Sequence, residues 1–172
     1  MADGSETAFL AQVNAHRAIL EKIVRTYCAE QVDREDLRQA ILGHLWRSHA
    51  SFDGQAQFST WMYRVALNVA ISHIRQVRRH DRHLVQPGEG VLENVPVEVV
   101  EPDERLVVIE AFLARLNELD RALLLLYLDD RSYREIADVL GISETNVATK
   151  VSRLKQRLRN ETTHTTQVTT QR

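Results

Sequence analysis

The stretch FSTWMYRVALNVAISHIRQVRR, Phe58–Arg79, decides how the rest of the chain is read. Phe58, Met62, Val65 and Val69 recur at three- and four-residue spacing, the signature of one apolar stripe on an α-helix. Leu67, Ile71 and Ile74 make a second stripe on roughly the opposite side. Between them runs a polar line at the same spacing: Trp61, Arg64, Asn68, Ser72, Arg75 and Arg79. A helix held on two sides, with a ring, an amide and three guanidiniums on its open side, suits a single-stranded nucleic acid. Rings stack bases, the amide bonds a base edge and arginines take phosphates. Taken alone, the helix favours a plainer account, in which the arginines oppose the helix dipole and Trp61 is core. The decision comes from elsewhere in the chain.

At 172 residues the chain is long enough for one domain or two small ones. Its 44% apolar and 27% charged content is ordinary for a soluble globular protein. Glycine and proline are scarce and no segment alternates as a strand does, so the expected class is all-α. The longest apolar run, Ala122–Leu128, is too short to span a bilayer, and MADGSETAF does not resemble a secretory signal. Cys28 stands alone, which excludes an internal disulfide and a cysteine-based zinc site and fits a reducing cytoplasm.

The formal charge of −2 argues at face value against a nucleic-acid partner. Its distribution says otherwise. Positive charge gathers at Arg75, Arg78, Arg79 and Arg82, and again at Lys150, Arg153, Lys155, Arg157 and Arg159. Acid collects between them, at Glu89, Glu93, Glu98, Glu101, Asp103 and Glu104. Two basic ends and an acidic middle allow two separate phosphate contacts.

In chain order, Phe9–Tyr27 reads as a first helix, burying Leu10, Val13, Leu20, Ile23, Val24 and Tyr27. Asp33, with Asp36 three residues on, is placed to cap a second helix to about His49. Ser51–Gln57 is a loop, and Ser59 or Thr60 is placed to cap the long helix. These three helices make a first domain over residues 5–85. Gln86–Pro102 holds all three prolines, two glycines and acid without any basic residue, and reads as a flexible linker. Asp103 caps a further helix, and Glu118–Leu128 is the apolar spine of a second domain over 103–160.

That second domain carries the clearest local signal. Ser132 with Glu135 is a capping box, Tyr133–Leu140 a short helix, Gly141 its left-handed stop and Ser143 the next cap. A short helix, a glycine turn and a longer helix with a basic outer face form a helix-turn-helix. Its second helix would present Thr145, Asn146, Thr149, Ser152 and Arg153 to a major groove, with Lys150, Lys155 and Arg157 near phosphates. A solvated helical hairpin is the plainer alternative, and the combination of features favours DNA. Residues 161–172, threonine-rich and aperiodic, read as a disordered tail.

Three blocks now carry a resemblance: DREDLRQAILGHLWR (Asp33–Arg47), SFDGQAQFSTWMYRVALNVAISHIRQVRR (Ser51–Arg79) and RSYREIADVLGISETNVATKVSRLKQRLR (Arg131–Arg159). The chain resembles an extracytoplasmic-function sigma factor, the smallest class of the sigma-70 family of bacterial transcription initiation factors. The pattern FxGxxxFxTWxYRxAxN in the middle block is the most specific of the three. The resemblance implies a region 2-like domain for the −10 promoter element and a region 4-like domain for the −35 element. It implies core RNA polymerase (β′ clamp and β subunit), promoter DNA and an anti-sigma factor as partners. Polymerase contact maps onto Asp36, Gln39, Leu42, Leu45, Trp46 and Arg47. The melted −10 strand maps onto Phe52, Gly54, Gln55, Phe58, Trp61, Tyr63, Arg64 and Asn68, with Arg75 and Arg79 beyond. For the −35 element it points to Thr149, Ser152 and Arg153 among the groove-facing residues named above, with Arg134 and Lys150 toward phosphate. The linker would cross the polymerase cleft toward the RNA exit channel. Ala148 stands where many members carry a basic residue, and Ala40 and Leu42 replace an acid and an aromatic common in the polymerase-binding helix. No accessory C-terminal domain is expected.

Two other classes fit the residues less well. A stand-alone helix-turn-helix regulator that dimerises on duplex DNA leaves Trp61, Arg64 and Asn68 without a purpose. An enzyme finds no phosphate-binding glycine loop, HExxH or GxSxG. Asp129 and Asp130, adjacent carboxylates before a capping box, are expected to face solvent. No catalytic residue, cofactor, metal site or small-molecule substrate is assigned.

Overall fold

A computed structural model describes the backbone over residues 4–84 and 111–169, and side chains over 6–79 and 111–161. Its described elements are helices: α1 (Gly4–Ala15), α2 (Arg17–Tyr27), α3 (Gln31–Ser48), a 3-10 turn (His49–Ser51) and α4 (Phe58–Leu84). After helical residues 111–115 come α5 (Glu118–Leu128), α6 (Tyr133–Leu140) and α7 (Glu144–Thr169). The expected all-α class is what the chain adopts. The linker at 86–102 and the cap at Asp103 lie outside the described residues.

The first helix is two helices. His16 leaves helical angles at φ −105°, ψ 15°, and its ring nitrogen lies 2.9 Å from the Gln12 carbonyl, which also accepts the His16 backbone N–H. The bend turns Phe9 and Val13 inward but leaves Leu10, expected in the core, 56% exposed. At α3 the expected cap is also displaced: the helix begins at Gln31 after Glu30, without a side-chain cap, and Asp33 sits inside the first turn where the dipole favours acid. At α4, Ser59 and Thr60 lie one and two residues inside the helix and are nearly buried, with Ser59 accepting from Arg131.

Helices α2, α3 and α4 converge on Ile23, Val24, Leu37, Ile41, Leu45, Met62, Tyr63 and Leu67, all but sealed from solvent. In the second half, α5, α6 and α7 bury Leu123, Leu126, Ile136, Val147, Val151 and Leu154. Caps fix the joints there. Asn117 accepts from the Asp120 N–H at 2.8 Å, and the Ser132–Glu135 box closes in both directions. Gly141 takes φ 68°, and Ser143 accepts from the Asn146 N–H. The expected tail at 161–172 is corrected in part: α7 runs on to Thr169, because extending a formed helix is far easier than starting one. An ion pair between Arg115 and Glu161 ties down its middle.

The two halves share one continuous cluster of buried side chains, and α4 lies against α6. Asp129, expected in solvent, sits at that junction with Lys22 of α2, Tyr63 of α4 and Arg131 around its carboxylate. Burial alone would raise the Asp129 carboxyl, but hydrogen bonds from Lys22 and Tyr63, with the charges of Lys22 and Arg131, hold it below the usual range. Glu135 is held low mainly by its bonds from Ser132. Stability from two such carboxylates is complete above their ordinary values near about pH 4 and is lost as pH falls through the lowered ones. The melting temperature is therefore expected to hold from neutrality to about pH 5 and to fall below it, as circular dichroism would read. A melting temperature that climbed on acidification would contradict this.

Candidate nucleic-acid interface

Along α4 the two apolar stripes behave differently from the polar line between them. Phe58, Met62 and Leu67 are buried, and Val65, Val69, Ile71 and Ile74 are half-buried against the core. Arg64, Asn68, Ser72, Arg75 and Arg79 are exposed, and Trp61 is half-buried. The open line therefore exists as a surface.

At its N-terminal end an aromatic group is assembled from α1, α3, the 3-10 turn, the loop before α4 and α4 itself. The rings of Phe52 and Trp61 lie 5.1 Å apart, and those of Phe58 and Trp61 lie 5.3 Å apart. Phe9 of α1 stands edge-on to Phe58, Trp61 and Trp46, and 4.3 Å from the His49 ring. Such pairs pack Trp61 into the aromatic group and leave it half-buried. The loop before α4 is set by Gly54 at φ 72° and by Asp53, whose carboxylate accepts the Gln55 N–H at 3.0 Å. Gln55 and Gly54 are left exposed at its tip.

Beside Asn68 a groove of about 430 Å³ opens between α3 and α4, with Ser48, Ser72, His73 and Gln76 among its walls. Further along, Ser72, Arg75, Arg78 and Arg79 border a second hollow of about 500 Å³, where Arg78 pairs with Glu118. An amide and hydroxyls near stacked rings, followed by guanidiniums, can hold bases first and phosphates next.

On α3, Gln39, Leu42 and Trp46 share a face at spacings of three and four, and Asp36 and Arg47 flank it in the open. Leu42 is 37% exposed and Trp46 46%, an apolar surface of the kind that marks a partner site. Leu45 is fully buried, so its assignment as a polymerase contact is corrected. Its i, i+4 register with Leu37 and Ile41 already points to the core. Tyr63, assigned to the melted strand, is likewise fully buried; its hydroxyl donates to Asp129 and its own ionisation is pushed up by burial and that carboxylate. Phe58 is 9% exposed and packs against Trp61 with ring centres 5.3 Å apart.

On α7, Thr145, Asn146, Thr149, Ser152 and Arg153 are exposed on the outer face, and Arg134 is exposed on α6. The Thr149 hydroxyl donates back to the Thr145 carbonyl at 2.9 Å. Lys150 pairs with Asp120 at 3.2 Å, and Lys155 lies over the Tyr127 ring. Sequence reasoning missed Phe9, His49 and Asp129. An aromatic at position 9 carries no signal until the loop and α4 are folded over it.

A sigma-70 region 2 family profile matches residues 12–80, and a sigma-70 region 4 profile matches residues 106–158. The chain belongs to the sigma-70 family. Its relatives place it in the extracytoplasmic-function class. It is 26% identical over 170 residues to the ECF RNA polymerase sigma factor SigW of Bacillus subtilis, spanning 92% of this chain and 90% of that protein. The ECF RNA polymerase sigma-E factor of Escherichia coli is 27% identical over 169 residues, 92% and 88% of the two chains. Two solved structures share the fold of this sigma factor. One is the sigma factor RpoE in complex with the anti-sigma factor NepR from Bartonella quintana, at TM-score 0.69 and 20% identity over 89% of this chain and 95% of that one. The other is CnrH in complex with the cytosolic domain of CnrY, at TM-score 0.68 and 22% identity over 94% and 91%. Membership gives this sigma factor the role of an RNA polymerase initiation factor. No described helix is long and apolar enough to cross a membrane.

Proposed function

We propose that this sigma factor docks on core RNA polymerase, brings it to a set of promoters and helps open the −10 element, without catalysis of its own. The open line on α4 carries the proposal. Trp61 and Phe52 stack unpaired bases, Asn68 and Gln55 meet base edges, and Arg64, Arg75 and Arg79 take phosphates. Asp36, Gln39, Leu42, Trp46 and Arg47 on α3 form the polymerase-docking face. The helix-turn-helix reads the −35 element through Asn146, Thr149, Ser152 and Arg153, with Arg134, Lys150 and Lys155 near phosphate. The expected compartment is the cytoplasm, and an anti-sigma protein is the expected restraint. A solved fold neighbour, the sigma factor RpoE from Bartonella quintana, is in complex with the anti-sigma factor NepR, which supports this reading.

Docking is tested by co-elution with core polymerase. Large exposed aromatics at the centre of an interface carry about 2 kcal/mol or more each when truncated. Trp46→Ala is therefore expected to weaken association at least about 30-fold while leaving the circular-dichroism spectrum unchanged. Association unaffected by Trp46→Ala together with Arg47→Glu would place the docking face elsewhere.

A further inference from the structure

The tryptophan on the open line of α4 and the tryptophan on the outer face of α3 share a neighbour. The Phe9 ring of α1 stands edge-on to Trp61 with centres 6.5 Å apart, and edge-on to Trp46 at 5.8 Å. It meets Phe58 in the same way at 6.1 Å, and the His49 ring of the 3-10 turn lies 4.3 Å from it. At the corner that follows α1, the His16 ring lies 5.4 Å from Phe58.

Phe9 itself is 4% exposed, so it is out of reach of a strand or a docking partner. Whatever it contributes passes through the rings it touches. Those rings are more open: Trp46 is exposed and Trp61 half-buried. An indole with open surface has room to turn, and packing on its inner side is what fixes it. Edge-to-face ring pairs have a preferred geometry that aliphatic contacts lack, so they set orientation as well as burying area. A binding side chain already held in its working orientation loses less freedom when its ligand arrives.

We infer that Phe9 is a positioning residue for two faces of the first half at once: it holds Trp61 for an unpaired base and Trp46 for the polymerase. The inference rests on the readings of α3 and α4 given above. Phe52 and Phe58 also hold Trp61, at 5.1 and 5.3 Å, but they belong to the loop and helix that carry it. Phe9 comes from a separate helix and reaches Trp46 as well. The region 2 profile begins at residue 12, so this ring lies outside the matched block.

Phe9→Leu removes the ring and keeps an apolar side chain. Val13→Ala is its control, because Val13 is buried one turn along the same helix and carries no ring. The chain has two tryptophans, so near-ultraviolet circular dichroism of Trp46→Phe reports Trp61, and that of Trp61→Phe reports Trp46. In both backgrounds Phe9→Leu is expected to flatten the indole bands of a folded chain, and Val13→Ala to leave them. One aromatic pair is worth a factor of about 2–12. Permanganate reactivity at the −10 element, read with polymerase saturated, is therefore expected to fall about 2- to 12-fold in Phe9→Leu, and polymerase association to weaken by a similar factor. Val13→Ala keeps both at wild type. Phe9→Met, which meets rings through its sulfur, is read if Phe9→Leu does not fold, with smaller losses in the same direction. Wild-type indole bands and functions in a folded Phe9 variant would overturn the inference. So would equal losses in Val13→Ala, a loss on one face alone, or altered bands with unchanged function. Failure of the promoter reading shows separately, as wild-type thymine reactivity in Trp61→Ala/Asn68→Ala, whatever the Phe9 variants do to the indole bands.

Discussion

Replacing Trp61 and Asn68 together by alanine is expected to abolish the transcription bubble while leaving polymerase docking intact. Stacking on an aromatic side chain is worth about 1–3 kcal/mol per base, and a hydrogen bond to a base edge about 1 kcal/mol more. Removing both therefore costs roughly 2–4 kcal/mol, a fall of about 30- to 1,000-fold in the opening equilibrium. Permanganate reactivity of unpaired thymines at the −10 element reads the bubble directly. Trp61 also rests on Phe52, Phe58 and Phe9, so the double variant needs a thermal melt beside it, and Trp61→Phe serves as the variant that keeps a stacking face. Thymine reactivity equal to wild type in a folded, polymerase-bound double variant would remove the open line from strand capture.

The largest loss of stability is expected at Arg121. This guanidinium is 7% exposed, a rare degree of burial for a cation. It donates to the carbonyls of Leu113, Ala114 and Leu116, which close the helical turn ending at 115, and to Thr26 at the end of α2. Its carbon lies 5.5 Å from the Tyr27 ring centre, and the Tyr27 hydroxyl donates to the Glu118 carbonyl. One side chain thus joins the start of α5 to both halves of the chain. Arg121→Ala takes the guanidinium from the buried Leu116 carbonyl and from the part-buried carbonyls of Ala114 and Thr26, each worth about 1–3 kcal/mol, so a loss of about 3 kcal/mol or more follows. For a chain of this size that is roughly 6–12 °C in melting temperature. Arg121→Lys recovers little, because an ammonium cannot reproduce the planar fork. A melting temperature within about 2 °C of wild type would mean that these bonds are replaced by water.

How far the sequence could be read follows the range of the forces involved. The helix-turn-helix is legible because its determinants are local: Ser132 and Glu135 are three residues apart, and Gly141 needs only its own backbone. The two stripes of α4 are legible because helical periodicity alone sets them. Pairings across the chain carry no such mark. Tyr63 and Asp129 are 66 residues apart, and a short carboxylate in a turn looks the same whether it meets water or a lysine from another helix. The break at His16, seen in its backbone angles, leaves the apolar spacing of residues 9–27 undisturbed. Leu45 teaches the reverse lesson. Its spacing from Leu37 and Ile41 marks it as core, as observed, whereas the family resemblance points it at a partner.

Transcription by purified core polymerase on a library of genomic promoter fragments, with and without this protein, tests the whole account most directly. Defined transcripts that appear only when the chain is added, and that vanish with Trp61→Ala/Asn68→Ala, are the predicted result. A library that yields the same products with and without the chain would contradict it.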